Sequence, residues 1–408
     1  MSVQGSCAPR FEAVREEFER NLAERGDVGA SVCVTVDGEP MVDLWGGLAD
    51  PTGGAPWERD TIGMVFSCTK GATALCAHLL AARGELDLDA PVTDLWPEFG
   101  KHGKEGMPVR LLLNHQSGLA ALREPIPDGG LADWDLVVDA LAGQEPLWEP
   151  GTRSGYHALT FGHLVGEVVR RATGRSLGTV FRDEVAEPLG LDFWIGLPEE
   201  REHRLAPTIS AAEPDAGVPL ASFYQAALTD PTAVAHLVLM HSGGFLFPGG
   251  ADTRPHRAAE IPAVNGITNA RGLAGMYRPL ALGGAVDGVT LVDDAQLLAM
   301  GAVASASGVD ATMLVPTRYT LGFMKAIDNR HCAPGEQDSV LLSEDAFGHL
   351  GMGGSLGFAD PAARMSFGYT MNRQGAGTGL DERGQSLVDA VYRSLGHRRA
   401  PDGGVWFA

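Results

Sequence analysis

Met64-Val65-Phe66-Ser67-Cys68-Thr69-Lys70-Gly71 decides how this chain is read. A short apolar run ends at Ser67, and an alanine- and leucine-rich helical pattern follows from Lys70 to Arg83. The pattern predicts Ser67 at or near a helix N-terminus, with Lys70 one turn further on. Residues three apart share a helix face, so the Lys70 amine can reach the Ser67 hydroxyl. A serine hydroxyl is a poor nucleophile until a base removes its proton. A lysine desolvated by apolar neighbours has its pKa lowered enough to be that base. The same letters also fit a plain helix cap at Ser67 and a solvated charge at Lys70. Lysine is scarce, however: Lys70, Lys101, Lys104 and Lys325 are the only ones. Cys68 stands beside Ser67 as a competing thiol.

On the N-terminal side, Phe11, Val14, Phe18 and Leu22 recur at helical spacing and predict an amphipathic helix ending near Gly26. Ala30–Val36 and Pro40–Leu44 flank Asp37-Gly38, a strong hairpin signal. On the C-terminal side come a proline-bearing loop over Leu86–Phe99, a short helix over Val109–Asn114 and a turn at His115–Leu119. Helical patterns then cover Asp133–Ala142, Ala158–Thr173 and Leu177–Glu187. Residues 198–264 have weak periodicity and read as a long loop lining a substrate entrance. A helix resumes over Ala270–Leu282, capped by Asn269 and open to a kink or early stop at Pro279. Strands are expected at Tyr319–Met324, Ser355–Ala359 and Met365–Asn372, and a last helix over Gly384–Leu395. The order predicts an α+β fold. Residues 1–66 and 270–408 would form an antiparallel sheet with flanking helices, and 67–269 a mostly helical subdomain.

A chain of 408 residues with 44% hydrophobic content can build a sizeable core. Its net charge of −21 argues against nucleic acid and anionic membranes as partners, because both need a basic face. The five cysteines are odd in number and lack a Cys-x-x-Cys pair, so neither a disulfide framework nor a zinc site is indicated. Residues 1–26 are charged and helical rather than signal-like, and no apolar run reaches membrane-spanning length. A cytoplasmic location is expected.

Two further stretches carry chemistry. Tyr156 follows Pro150-Gly151 and precedes a helix. A phenol beside a cationic lysine can be drawn toward phenolate and relay a proton, although a tyrosine packing a helix end has the same local sequence. In Phe347-Gly348-His349-Leu350-Gly351-Met352-Gly353-Gly354-Ser355 the glycines permit close backbone approach to a ligand, with N–H groups free to face an oxyanion. His349 can orient a substrate there or serve as an ordinary structural histidine.

Ser67-Cys68-Thr69-Lys70, His115-Gln116-Ser117-Gly118-Leu119, Pro150-Gly151 with Tyr156, and His349-Leu350-Gly351 occur in that order. The set resembles the serine β-lactamase and penicillin-binding-protein superfamily, and more closely the class C β-lactamase-like esterases, the family VIII carboxylesterases. The resemblance implies that fold, Ser67 as acylated nucleophile, Lys70 as base and Tyr156 as partner acid/base. It places His349-Leu350-Gly351 on the strand edging the site, forms the oxyanion hole from the N–H groups of Ser67 and Met352, and makes Gln116-Ser117-Gly118 structural. It implies no cofactor.

Two departures bear on the substrate. The family's Tyr-x-Asn reads Tyr156-His157-Ala158, and its Lys-Thr-Gly reads His349-Leu350-Gly351. The amide that holds a lactam or peptide side chain and the cation that grips a β-lactam carboxylate are both missing. The sequence therefore points to a serine hydrolase of small neutral carboxylic esters. The alternative is a transacylase that passes the acyl group to an alcohol or amine; β-lactamase or peptidase activity and a non-catalytic binding role rank below both.

Overall fold

The structure, a computed structural model, describes residues 2–212, 219–400 and 403–408. Its main sheet joins β1 (Gln4–Cys7), β2 (Gly29–Val36) and β3 (Glu39–Asp50) to β4 (Phe347–Leu350), β5 (Leu356–Asp360) and β6 (Met365–Met371) from the far end of the chain. Strand order is β1-β3-β2-β6-β5-β4, with a short seventh strand, Ala55–Pro56, on β3. Each pair is antiparallel. The helices that shape the site and its support are α1 (Glu12–Ala23), α2 (Thr69–Ala82), α3 (Trp134–Gly143), α4 (Thr160–Thr173), α5 (Ser222–Thr229), α6 (Val234–Met240), α7 (Arg254–Ala258), α8 (Ala270–Ala281) and α9 (Glu382–Leu395).

Local sequence explains most of the sheet. Asp37 and Gly38 both have positive φ, 51° and 85°, the type I′ combination that suits strand twist. The β3 strand outruns its expected end at Leu44, because Gly46 and Gly47 go on pairing with Ala30 and Gly29. In β6, Phe367, Tyr369 and Met371 join a core with Phe11, Val14 and Phe18 of the N-terminal segment and Val388 of α9. The other face of the sheet receives α8. A Cβ at Gly368 would lie 2.2 Å from the Ala270 carbonyl oxygen, so glycine there permits the close approach. Asn269 caps α8 as its sequence predicts, accepting from the Gly272 N–H at 3.0 Å.

A second core forms around α2, whose residues Thr69 to Leu80 are all buried. Ahead of it, Gly63–Met64 pairs with Ile267–Thr268 in a small three-stranded sheet completed by Phe193–Trp194. Those pairings fix the chain just before Ser67.

The structure corrects two expectations. Residues 198–264 are not a long loop, because a 3-10 turn over Glu199–Arg204 and α5, α6 and α7 fall within them. Helices of five to eight residues are too short to show a clear apolar period. Residues 213–218 of that stretch lie outside the described residues. Tyr319–Met324 is not one strand either. Thr317–Tyr319 pairs with Ser305–Ser307, and the chain then turns at Gly322, φ 97°, before Met324 bridges to β4. Pro279 neither breaks nor shortens α8 early, since it sits in the last turn. Among the described residues no helix is long and apolar enough to cross a membrane.

Candidate active site

Ser67 is delivered by a strained residue. Phe66 has φ 43°, a left-handed conformation that is a genuine outlier for a bulky side chain, yet Phe66 is buried. Neighbours hold it there. The Thr69 hydroxyl donates to the Phe66 carbonyl and accepts from the Gly266 N–H at 2.8 Å, while the Val65 N–H donates to the Gly266 carbonyl at 2.9 Å. α2 begins at once, and Ser67 looks into a cavity of about 540 Å³ that Tyr156 and Met352 also line.

Lys70 is fully buried. Its Nζ lies 3.0 Å from Ser67 Oγ, 2.7 Å from the Ala158 carbonyl and 3.0 Å from the Ala263 carbonyl. Desolvation holds its pKa well below the usual lysine value. A neutral amine has two N–H donors and one lone pair. The two carbonyls take the donors, which leaves the lone pair for the Ser67 proton.

Tyr156 flanks the pair, with Lys70 Nζ 4.8 Å from its ring centroid. Burial raises its pKa well above the ordinary phenol value, and the neighbouring Ser67 hydroxyl offsets this only in part. Burial thus works against the phenolate that a cationic lysine would induce: with Lys70 favoured as the free amine, the protonated phenol is favoured. It is suited to give a proton rather than to hold a charge.

The Tyr156 loop rests on buried groups. The Tyr156 N–H donates to Asp310 Oδ1 at 2.9 Å, and the N–H groups of Thr312 and Met313 donate to the same oxygen at 2.9 Å each. Tyr319 stacks on Tyr156 with ring centroids 5.9 Å apart. The His157 N–H donates to His115 Nδ1 at 3.1 Å, and His157 Nε2 lies 2.6 Å from Ser117 Oγ. The Gln116-Ser117-Gly118 turn therefore acts as scaffold for the loop. Sequence reasoning missed Asp310, Tyr319 and the Phe66 strain. Asp310 and Tyr319 meet Tyr156 only through long-range folding, and a backbone dihedral leaves no letter to read.

The glycine-rich strand divides its roles. The N–H groups of Ser67 and Met352 donate to no protein acceptor among the described residues, and both residues line the same cavity, which leaves these donors available to an oxyanion. His349 and Gly351 are set back from the cavity lining. A Cβ at Gly351 would lie 2.2 Å from the Val65 carbonyl, so this glycine lets β4 pack against the segment that presents Ser67. His349 is 2% exposed, its Nδ1 lies 2.7 Å from the Leu350 carbonyl, and its ring is 6.0 Å from that of Tyr156. Burial and the nearby Lys70 push its pKa down to about 3, so it is neutral. Cys68 faces away from the cavity chemistry. Its thiol donates to the His349 carbonyl at 3.2 Å, and burial pushes its pKa up to about 12.

The family profile described as Beta-lactamase matches residues 14–391. The chain belongs to the beta-lactamase family. Within that family it is 38% identical over 380 residues to a protein named esterase/beta-lactamase LipL from Mycobacterium tuberculosis, covering 91% of this chain and 83% of the relative. It is 38% identical over 203 residues to esterase EstB of Burkholderia gladioli, covering 46% of this chain and 50% of that one. A crystal structure of a family VIII carboxylesterase superposes with a TM-score of 0.84 at 38% identity, covering 97% of this chain and all of the other. A penicillin-binding protein homolog from Caulobacter crescentus matches at TM-score 0.84 and 36% identity, with 97% and 100% covered. This beta-lactamase-family chain is accordingly an enzyme of the esterase/beta-lactamase-like serine hydrolases, with the antiparallel sheet and flanking helices of its structural neighbours.

Proposed function

We propose that the protein hydrolyses neutral carboxylic esters through a Ser67 acyl-enzyme. The observation that carries this is the 3.0 Å approach of a fully desolvated Lys70 amine to Ser67 Oγ, its two other contacts being backbone carbonyls. Ser67 Oγ attacks the ester carbonyl while its proton passes to Lys70. The oxyanion collects the N–H groups of Ser67 and Met352. As the bond to the leaving oxygen breaks, Tyr156 gives that oxygen its proton and regains one from Lys70, so an alcohol departs and both groups are reset. Water then attacks the acyl-enzyme with Lys70 accepting its proton. The acid leaves and Ser67 is reprotonated.

The departures in sequence support an ester substrate. At the position of the family's asparagine, Ala158 offers only its carbonyl, and that is bound to Lys70. No lysine stands at His349, and the arginine of the cavity lining, Arg318, is paired with Glu344 and donates to the Ala326 carbonyl at 3.1 Å. A carboxylate-bearing β-lactam therefore meets no unpaired cation in the cavity lining among the described residues. The same proposal assigns 1–66 and 270–408 to the sheet-bearing subdomain and 67–269 to the helical one, with Ser67 at their junction. Product analysis on short p-nitrophenyl esters, with and without an alcohol acceptor, tests it. Free acid formed without acceptor supports hydrolysis, and ester consumed only with acceptor would replace hydrolase by transacylase.

A further inference from the structure

The 540 Å³ cavity at Ser67 is far larger than an acetyl ester needs and lies in the range of drug-sized ligands. Its outer wall is built by a part of the chain with a core of its own. Phe223 and Ala227 of α5 pack on Ala235 and Val238 of α6 and on Ala121, with Met313 and Ala158 against them. The cavity side of this unit is apolar, presenting Phe223, Val238 and Leu239, and Phe245, Met313 and Val315 add apolar surface to the same lining. Leu220 and Phe247 line the same cavity and are each 44% exposed, so its mouth is apolar as well.

Charged members of the lining are already engaged. Arg318 is held by Glu344. Asp252 accepts from the Thr208 N–H at 2.9 Å, and Asp338 from the Thr378 N–H at 2.8 Å. A charged substituent brought here would lose its water and find no free partner, a large penalty. An apolar one gains roughly fourfold in affinity for each methylene it buries.

We infer that the preferred substrates are esters carrying a long alkyl or large aryl group, which lies against the apolar lining that the α5–α6 unit, Met313 and Val315 contribute to the cavity. The inference rests on the ester-cleaving reading of Ser67 and adds the substrate class. The group belongs to the acid or the alcohol half of the ester, and the experiment has an arm for each.

One arm measures kcat/KM for p-nitrophenyl acetate, butyrate and octanoate, and the other compares ethyl, octyl and naphthyl acetates. The expected result is a rise of at least about tenfold from the smallest to the largest member of one series. Flat or falling values in both series would overturn the inference. In the responsive series Leu239→Trp, which fills the wall, should cut the large-to-small ratio by about tenfold. An unchanged ratio in folded variant would also overturn it. A binding readout stands apart from catalysis and from that variant's folding: calorimetry of octyl and ethyl p-nitrophenyl ethers on Ser67→Ala. Tighter binding of the octyl ether with no ester turned over by the wild type would keep the cavity assignment and sink the hydrolase. Ester turnover with no chain-length effect in any readout would do the reverse.

Discussion

The Ser67–Lys70–Tyr156 cluster and the α5–α6 wall border one cavity and are held by different physics. The cluster is a buried polar assembly in which each atom's partner is fixed: Lys70 has three, and the Asp310 oxygen behind Tyr156 takes three N–H groups. Such a network tolerates little change, because any orphaned donor or acceptor costs its full desolvation. The wall is a small apolar cluster with no directional bond to the reacting groups. Its contribution is volume, which can be altered by degrees. Substitutions in the cluster should lower the rate on every substrate, whereas those in the wall should reorder substrates.

The largest expected effect short of removing Ser67 is that of Lys70→Ala, a loss of about 10³-fold in acylation rate with the fold retained by circular dichroism. Wild-type acylation in that variant would remove Lys70 as the base and break the contrast. The same role fixes a pH profile. Lys70 acts as the free amine and its pKa is depressed, so kcat/KM should be full above that lowered pKa and fall as pH drops through it. An acid limb at the ordinary lysine value, near ~10.4, would contradict the desolvated base.

Tyr156→Phe should cost about 10²-fold in kcat, most for esters with poor leaving groups, which need the proton most. Equal losses for ethyl and p-nitrophenyl esters would argue against the donor role. Asp310→Ala strips the acceptor from three N–H groups and should lower stability by roughly 2–4 kcal/mol in denaturant titrations. Asp310→Asn retains an acceptor oxygen, and recovery of most of that stability would sharpen the positioning role. Cys68→Ser should be the smallest, with turnover within about threefold of wild type, because the thiol bonds the His349 carbonyl and Ser355 Oγ rather than the reacting groups. A large loss there would reopen the identity of the nucleophile.

The sequence made the cluster more legible than the wall, for a physical reason. Ser67 and Lys70 are one helical turn apart, so a local pattern brings them together without knowledge of the fold. The α1 stripe of Val14, Phe18 and Leu22 and the Asp37-Gly38 turn are local in the same sense. Asp310 reaches Tyr156 across 154 positions, and nothing near either residue announces the partner. The strand expected through His349-Leu350-Gly351 ends at Leu350, and neither His349 within it nor Gly351 just beyond it, which passes tightly against Val65, lines the cavity. The wall helices span only about two turns each, and their apolar residues serve a cavity and a small core at once, which blurs the helical period that would reveal them.

The central claim is that the reaction passes through an acyl group on Ser67. Intact-protein mass spectrometry after brief exposure to p-nitrophenyl acetate and octanoate tests it most directly, on the wild type and on Ser67→Ala. The account predicts a transient adduct of one acyl mass on the wild type that decays as free acid accumulates, and none on Ser67→Ala. An equal adduct on both proteins, or steady ester turnover by Ser67→Ala, would contradict it.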